Sequence, residues 1–514
     1  MIAGFYQICK LLLPKLPDGF RMRSKERKIM AKGVLIKNAA VLACANIITR
    51  LAGLIYKVWL AGNISGEALG IYQLGMTVYM LFMSLPSSGL PGAVSGNCAA
   101  YGAIARGGAE NVLRTGRRLG MIVSGIAALL LAMLAPFLAW FMLKDILLFG
   151  IFLVLLPAVF FGGTASVNDG YLHAVKQTRA VAFCEIAEQI AKIAIAVICI
   201  RFICGSAELQ AAGAIAGISA GGIAAFLASS LAIKRYCGRK NKVCPQNAAV
   251  CKTRQRKGGK DVGAATFEEQ KAQGIPRVTA AALIKSALPI SANRFITSFI
   301  SMATASIVPI SLALFGLDTT QALSSYGIIN GMVMPFIMLP CTVIGALCAT
   351  LLPRFSELYA EKKKQALKKR ILLAIAAAGG IGLLSGMLIA LFAPLIGRIV
   401  YKNSEAAQML LLLSPCCIFA GLSQICTSVL IALKKERVLF RRHIISALAA
   451  LVMCFFLPRF FGVAGYAAAI LIQFAVECTL QLTAVYALKK EEKHEKGIVK
   501  IKKKSYSRCI EYAE

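Results

Sequence analysis

The sequence predicts an all-α polytopic membrane protein. We expect about twelve transmembrane helices in two six-helix lobes, related by a pseudo-two-fold axis along the membrane normal, with both termini in the cytoplasm. Three observations support this fold class: long apolar runs, a one-sided distribution of basic residues, and an internal repeat. Together they are typical of an integral membrane protein in a cell membrane.

Apolar residues dominate the 514-residue chain. Hydrophobic side chains make up 58% of its residues and charged ones only 16%, with a mean hydropathy of +0.71. Soluble globular domains carry more charge, and a helix needs about 20 apolar residues to cross a bilayer. We expect spans at 36–61, 69–100, 119–143, 146–172, 180–204, 209–233, 279–304, 319–349, 371–393, 406–433, 438–458 and 463–488.

Basic residues give the chain a net charge of +35. If the expected spans alternate in direction, 47 of the 58 Lys and Arg residues fall on one side of the membrane and 5 on the other. This is the positive-inside pattern, and it places both termini in the cytoplasm. The basic charge is therefore explained by topology and by attraction to anionic membrane lipids, and nucleic acid is not an expected partner.

Five regions are expected along the chain. The apolar stretch near the N-terminus is short, is broken by Pro14 and lacks a small-residue cleavage site, so it does not resemble a signal peptide. Met1 and Met30 are alternative starts of the natural protein. In order, the regions are a basic extension (1–33), the first lobe (34–233), a flexible basic linker (234–278), the second lobe (279–488) and a basic tail (489–514).

The internal repeat is clearest in one segment of each half. Tyr72–Pro86 (YQLGMTVYMLFMSLP) reappears in outline at Tyr326–Pro340 (YGIINGMVMPFIMLP). Proline bends a helix by removing a backbone hydrogen bond, and membrane helices tolerate this where neighbouring helices or a cavity satisfy the freed carbonyl. Matching broken helices in two halves indicate a transporter with a central site. The expected hinge residues are Pro86, Pro91, Pro335 and Pro340.

Two arginines lie deep inside expected spans. A charge near the bilayer centre costs about 3 kcal/mol and normally faces a partner or a water-filled cavity. Arg50 and Arg294 lie in the first span of their halves without an acid nearby in sequence, and arginine suits bidentate recognition of phosphate. We predict that both bind substrate. Lys57, on the face of Arg50, is a further candidate, although it could also reach the headgroups.

The fifth span carries Glu185, Glu188 and Lys192 on one face. Glu188 and Lys192 are candidate site residues, although an i,i+4 pair between them would also neutralise both charges. Glu477 in the last span is expected to pair with a basic residue across the lobe interface. A cavity lined by arginine and lysine favours an anion the size of a diphosphate over a cationic drug.

The sequence offers little for catalysis. His173, His443 and His494 are the three histidines and each stands alone, and no paired-carboxylate metal motif occurs. Chemistry at a membrane face needs clustered acids or a histidine base. The 17 cysteines lie mostly alone in apolar runs, without a CxxC pair, and are expected to be structural. We expect no enzymatic activity, no metal site and no cofactor.

Several segments resemble one known family. ITRLAGLIYKVWL, followed by SGEALGIYQLGMTVYMLFMSLPSSGLPGAVS, resembles the opening of the stage V sporulation protein B family. These proteins are polysaccharide-biosynthesis flippases of the multidrug/oligosaccharidyl-lipid/polysaccharide exporter superfamily. DGYLHAVKQ, EQIAKI, ALPISANRFI and LPCTVIGALCATLLPRFSE extend the resemblance in the same order along most of the chain.

The resemblance implies two six-helix lobes that expose a central site to each membrane face in turn. It implies an undecaprenyl-diphosphate-linked saccharide as cargo, such as the peptidoglycan precursor lipid II. Arg50, Arg294, Lys57 and Lys192 match basic positions of the family. The sequence departs from the family at Gly62, at Asp169 and in the stretch Ser95–Ala100, which leaves the identity of the cargo open.

The leading hypothesis is therefore a flippase for a polyprenyl-diphosphate-linked saccharide. The alternative is a cation-coupled multidrug exporter of the same superfamily, for which deep carboxylates in the first half would be expected. Asp169 is the nearest candidate for such a carboxylate. Membrane potential, a proton and a monovalent ion are equally compatible with the sequence as the driving force.

Overall fold

The computed structural model describes residues 48–104, 108–143, 149–202, 205–255, 279–361, 363–401 and 403–511. Within these ranges the chain is helical and contains no strand, which confirms the all-α class. Eight of the described helices are long and apolar enough to cross a membrane, or nine if one bent pair forms a single span. The chain is therefore a multi-pass membrane protein.

In the first half, the described residues form eight helices. A π-helical turn, Ala158–Gly162, connects the fifth helix to the sixth. The helices are α1 (48–63), α2 (Gly66–Ser87), α3 (Gly89–Ile104), α4 (Gly108–Leu143), α5 (Phe149–Leu153), α6 (Gly163–Ala174), α7 (Thr178–Phe202) and α8 (Ala207–Gln255).

Eight more helices lie in the described part of the second half, with π-helical turns at Ile328–Val333 and Ile396–Val400. The helices are α9 (Ala280–Phe315), α10 (Thr319–Gly327), α11 (Met334–Ile337), α12 (Leu339–Ala360), α13 (Lys364–Leu395), α14 (Ser404–Leu413), α15 (Cys416–Ala432) and α16 (Glu436–Glu511).

Helix α16 consists of two segments that meet at Gly462. This glycine has a φ of +60°, a conformation that residues with a side chain rarely adopt. A Cβ atom there would also lie 2.8 Å from the ring of Phe315, at the end of α9. The chain can turn at this point because glycine provides both the backbone freedom and the space.

The regions between and beyond the halves differ in part from the expectation. Helix α8 continues to Gln255, so the first part of the basic linker expected at 234–278 is helical. The remainder of that linker, at 256–278, lies outside the described residues, as do the N-terminal extension and both alternative starts. The basic tail continues α16 as far as Glu511.

Side chains cap the starts of α2 and α10. The hydroxyl of Ser65 accepts a hydrogen bond from the backbone N–H of Ala68 at 3.1 Å. Asp318 and Gln321 form a reciprocal capping box at the start of α10. Each arrangement satisfies N–H groups that the first helical turn leaves free. A hydrogen bond from the Thr320 hydroxyl also holds the pKa of Asp318 below its ordinary value.

Both proline-containing helices of the repeat are interrupted where the sequence predicts. Helices α2 and α3 meet at Ser88, between Pro86 and Pro91. Helices α11 and α12 meet at Met338, between Pro335 and Pro340. The local effect of these prolines is therefore present in both halves.

A serine of α9 satisfies the backbone at the first break. The hydroxyl of Ser291 donates to the carbonyl of Leu85 at 3.2 Å and accepts from the N–H of Gly89 at 3.2 Å. In an unbroken helix these two backbone groups would bond to each other. Ser291 has inserted between them, and an inserted side chain is a recognised cause of a helix kink.

Neighbouring side chains also satisfy carbonyls near the second break. The Tyr401 hydroxyl donates to the carbonyl of Met332 at 3.1 Å, and the Cys417 thiol donates to that of Ile337 at 3.5 Å. A membrane offers no water to replace such bonds. The surrounding helices therefore stabilise both breaks directly.

Glycines bring the two halves into close contact where α2 crosses α10. A Cβ at Gly327 would lie 2.5 Å from the backbone nitrogen of Gly70, and one at Gly331 would lie 2.7 Å from Leu69. A Cβ at Gly70 would collide with the carbonyl of Leu323. Small residues spaced four apart allow this approach of helix backbones in membranes. The adjacent hydrophobic core contains residues of both halves.

Replacing Gly70 with alanine is expected to destabilise the protein, because the added methyl group has no space. Overpacking of this kind costs about 1–3 kcal/mol. Thermal unfolding of the purified protein in detergent should show a lower midpoint for Gly70→Ala than for wild type. Gly380→Ala is the matched control, since a Cβ at Gly380 meets nothing within 4 Å. Equal midpoints for the two variants would contradict the packing described above.

Candidate functional site

The predicted residues of the first half lie where α1 packs on α7. Gly53, between Arg50 and Lys57 on one face of α1, faces Gln189 of α7: a Cβ there would lie 3.3 Å from Nε2 of Gln189. The faces that carry the charged residues therefore meet at this glycine.

The charges of the two helices interact across this contact. Arg50 acts electrostatically on Glu185, and Lys57 on Lys192. Within α7, Lys192 also acts on Glu188. The structure thus brings together all four residues predicted for the first half. It also gives Arg50 an acidic neighbour on another helix, which the spacing along the sequence does not reveal.

Asp169 of α6 joins this group. It interacts electrostatically with Glu185 and Glu188. Oδ1 of Asp169 and Oε2 of Glu185 are buried and have no hydrogen-bond partner among the described residues. Each of these acids can be found in the sequence, because an acid within an apolar run is unusual. Their proximity cannot, because it depends on the packing of α6 against α7.

A polar cluster in the second half surrounds Glu477. Its Oε1 lies 3.1 Å from Nδ1 of His443 and accepts hydrogen bonds from Gln481 at 3.1 Å and Ser423 at 3.3 Å. Glu477 and His443 lie on the two segments of α16. The pairing is therefore within one half, and the expectation of a partner across the lobe interface is wrong. His443, which stands alone in the sequence, is not alone in the structure.

Arg294 lies on α9, which packs against α16, and its charge acts on His443. Each half thus has an arginine on its first described helix, with an ionisable group on a neighbouring helix. Arg294 follows Ser291 by three positions, so the second arginine lies less than one helical turn from the break between α2 and α3.

Exposure separates the arginines from the carboxylates. Arg50 and Arg294 are exposed, whereas Lys57, Lys192, Glu185 and Glu188 are half-buried. The side chain of Glu477 is 18% exposed. Charged side chains exposed along an apolar helix must face water or a polar ligand rather than lipid. Among the described residues, no group of three or more His, Cys, Asp or Glu is arranged to hold a metal ion.

The fold is that of a class of membrane transporters. One similar solved structure is a multidrug-resistance transporter of the multidrug/oligosaccharidyl-lipid/polysaccharide exporter superfamily in an inward-facing conformation. It superposes with a TM-score of 0.64 at 16% sequence identity. The superposition covers 87% of this chain and 99% of the transporter. The lipid II flippase MurJ, in an inward closed conformation, superposes with a TM-score of 0.60 at 13% identity, covering 87% of each chain.

Sequence comparisons give a more particular similarity. Residues 35–255 match the family model for polysaccharide biosynthesis proteins. The chain is 28% identical over 395 residues to stage V sporulation protein B of Bacillus subtilis (strain 168). The aligned region covers 75% of this chain and 70% of the relative. These findings confirm the resemblance predicted from the sequence.

Replacing Ser291 with alanine is expected to lower stability, because Leu85 and Gly89 would lose their hydrogen-bond partner. A buried group left unsatisfied costs about 1–3 kcal/mol. Thermal unfolding in detergent should give a lower midpoint for Ser291→Ala than for Ser301→Ala. Ser301 lies on the same helix, but its hydroxyl bonds only within that helix, to the carbonyl of Thr297 at 2.9 Å. Identical midpoints would show that Ser291 does not support the break.

Proposed function

We propose that this protein is a flippase that moves a polyprenyl-diphosphate-linked saccharide across the bacterial cytoplasmic membrane. The cargo we infer is an undecaprenyl-diphosphate-linked cell-wall precursor, with lipid II as the first candidate. The similarity to stage V sporulation protein B and the fold shared with MurJ support this choice. The proposal rests on the residues of the site as well as on these similarities.

The exposure of the arginines is the observation that carries the proposal. Arg50 and Arg294 are exposed, while the carboxylates near them are partly or largely withdrawn from the surface. A ligand entering the space beside these helices therefore meets guanidinium groups first. Guanidinium binds the oxygen atoms of a diphosphate bidentately, and the polyprenyl chain would stay in the surrounding lipid.

The proposed architecture has twelve spans in two six-helix lobes, with both termini in the cytoplasm. Three features account for the smaller number of apolar spans counted above. Only 48–63 of the first helix is described, α7 carries three charged residues near its centre, and α16 combines two segments separated by Gly462. Counting each of these, together with the bent pair α14 and α15, as a further span gives the expected twelve.

The proposed mechanism is alternating access, with hinges at the proline breaks. Pro86 and Pro91 flank the break in the first half, and Pro335 and Pro340 flank the one in the second. A break whose backbone groups bond to side chains can change its angle without leaving those groups unpaired. Rigid lobes moving about such points would expose the site to each face in turn.

A cation-coupled multidrug exporter is the second candidate. Asp169, Glu185 and Glu188 form a carboxylate group in the first half, and one structure with the same fold is a multidrug-resistance transporter. Carboxylates can bind a coupling cation or a cationic substrate. Their burial relative to the arginines makes them less accessible to a large ligand, and we therefore place this function second.

Substitution of either arginine by alanine is expected to abolish flipping, because the diphosphate would lose a bidentate partner. Loss of such a charged contact costs about 2–5 kcal/mol, which corresponds to at least a tenfold fall in transport. The measurement is the appearance of labelled lipid II in the outer leaflet of proteoliposomes containing Arg50→Ala or Arg294→Ala.

Arg201→Ala is the matched control, because Arg201 is also exposed but lies at the end of α7. All variants should be compared at equal abundance in the membrane. Wild-type flipping by both Arg50→Ala and Arg294→Ala would remove the proposed site.

Efflux of a cationic dye separates the two candidate functions. Cells that express the wild-type protein are expected to accumulate as much ethidium as cells with an empty vector, because the exposed arginines repel a cation. Energy-dependent efflux that is lost in Asp169→Asn would instead support the multidrug exporter.

A further inference from the structure

Helix α16, which carries His443, packs against α9, which carries Arg294. Its side chain is 46% exposed, and the charge of Arg294 acts on it. Nδ1 faces Oε1 of Glu477 at 3.1 Å. Because Nδ1 is engaged in this way, Nε2 is the ring nitrogen free to gain a proton and to donate a hydrogen bond.

Glu477 is fixed in place for this role. Nε2 of Gln481 donates to the same oxygen that faces His443, at 3.1 Å. The Ser423 hydroxyl lies 3.3 Å from that oxygen and 2.9 Å from Oε1 of Gln481, and its single proton bonds one of them at a time. Thr427 in turn donates to Oε1 of Gln481 at 2.9 Å. The carboxylate is therefore a positioned anion that orients the imidazole and compensates its charge when protonated.

The protonation state of His443 sets the net charge of this cluster. With a neutral imidazole, Arg294 and Glu477 cancel. With a protonated imidazole, the cluster has a net charge of +1 and a second donor beside the guanidinium. Histidine is the side chain whose ordinary pKa, about 6.5, lies in the physiological range.

The neighbours of His443 come from α9, α15 and both segments of α16. Helix α15 presents the uncharged side chains of Ser423 and Thr427. On the first segment of α16, Arg442 is bonded to the carbonyl of Leu480 and to Thr483. The charged and titratable groups from other segments are Arg294 on α9 and Glu477 and Cys478 on the second segment of α16. Arg441 and Arg442 directly precede His443 in the sequence.

We propose that His443 is the second cationic residue of the diphosphate site in the second half, and that cargo binding is coupled to uptake of a proton by its imidazole. This inference rests on the proposed function, since it assumes a diphosphate ligand. A ligand that binds the protonated form more tightly must raise the affinity for the proton by the same factor. Diphosphate binding should therefore weaken as the pH rises above the histidine pKa.

The test uses the purified full-length protein and farnesyl diphosphate, a short polyprenyl diphosphate. Isothermal titration calorimetry at pH 6 and pH 8 gives the dissociation constant. Repeating it in two buffers of different ionisation enthalpy gives the number of protons taken up. We expect about tenfold tighter binding at pH 6, which corresponds to one favourable charge interaction, and net proton uptake near neutral pH.

The phosphate of the ligand also titrates near pH 6. Variants of His443 therefore separate the pH dependence that comes from the protein from the pH dependence that comes from the ligand. His443→Gln should remove the part of the pH dependence that belongs to the protein and leave that of the ligand. His443→Lys, which keeps its charge, should bind more tightly than wild type at pH 8. His173→Gln is the control, because this exposed histidine lies on α6 in the other half, and it should behave as wild type.

The outcomes distinguish this inference from the proposed function. If wild type and His443→Gln bind farnesyl diphosphate with the same pH dependence, the role of His443 is overturned and the flippase proposal still stands. Absence of farnesyl diphosphate binding by folded wild-type protein at both pH values would overturn the diphosphate site itself. Loss of binding by His443→Gln at pH 8 as well as pH 6 would show a structural role rather than a proton-linked one.

Discussion

The hydroxyl of Ser291 lies between two backbone groups that an unbroken helix would pair, the carbonyl of Leu85 and the N–H of Gly89. In a bilayer, such groups have no water as an alternative partner. The break between α2 and α3 therefore depends on a side chain from the other half of the chain. The break near Met338 depends in the same way on hydroxyl and thiol donors from neighbouring helices. Broken helices are where membrane transporters can bend, and here both are supported by other helices.

Charged side chains within the membrane also need polar or charged partners. In the first half, α1 and α7 place Arg50 near Glu185. In the second half, the two segments of α16 place His443 against Glu477, and the charge of Arg294 on α9 acts on the imidazole. Both arginines remain exposed. A nearby carboxylate lowers the cost of a charge within an apolar helix, and exposure leaves the guanidinium available to a ligand.

Much of the fold could be predicted from the sequence, because the signals are local. Apolar runs give the helices, and Pro86 and Pro335 mark where two of them break. The positions of Arg50 and Arg294 within their helices follow from the same pattern. The partners could not be predicted, because they come from packing between distant segments. Glu477 was assigned a partner across the lobes and has one within its own half. Ser291 carries no sequence signal at all, since serine is common in membrane helices and its role depends on the backbone that it meets.

The position of Ser291 relative to Arg294 has a mechanical consequence. Three residues of α-helix span about 4.5 Å along the axis, so the two side chains belong to one rigid turn of α9. Any displacement of this turn would therefore move the Ser291 hydroxyl within the break together with the backbone that carries Arg294. The position of α9 and the bend between α2 and α3 are thus coupled within a single helical turn.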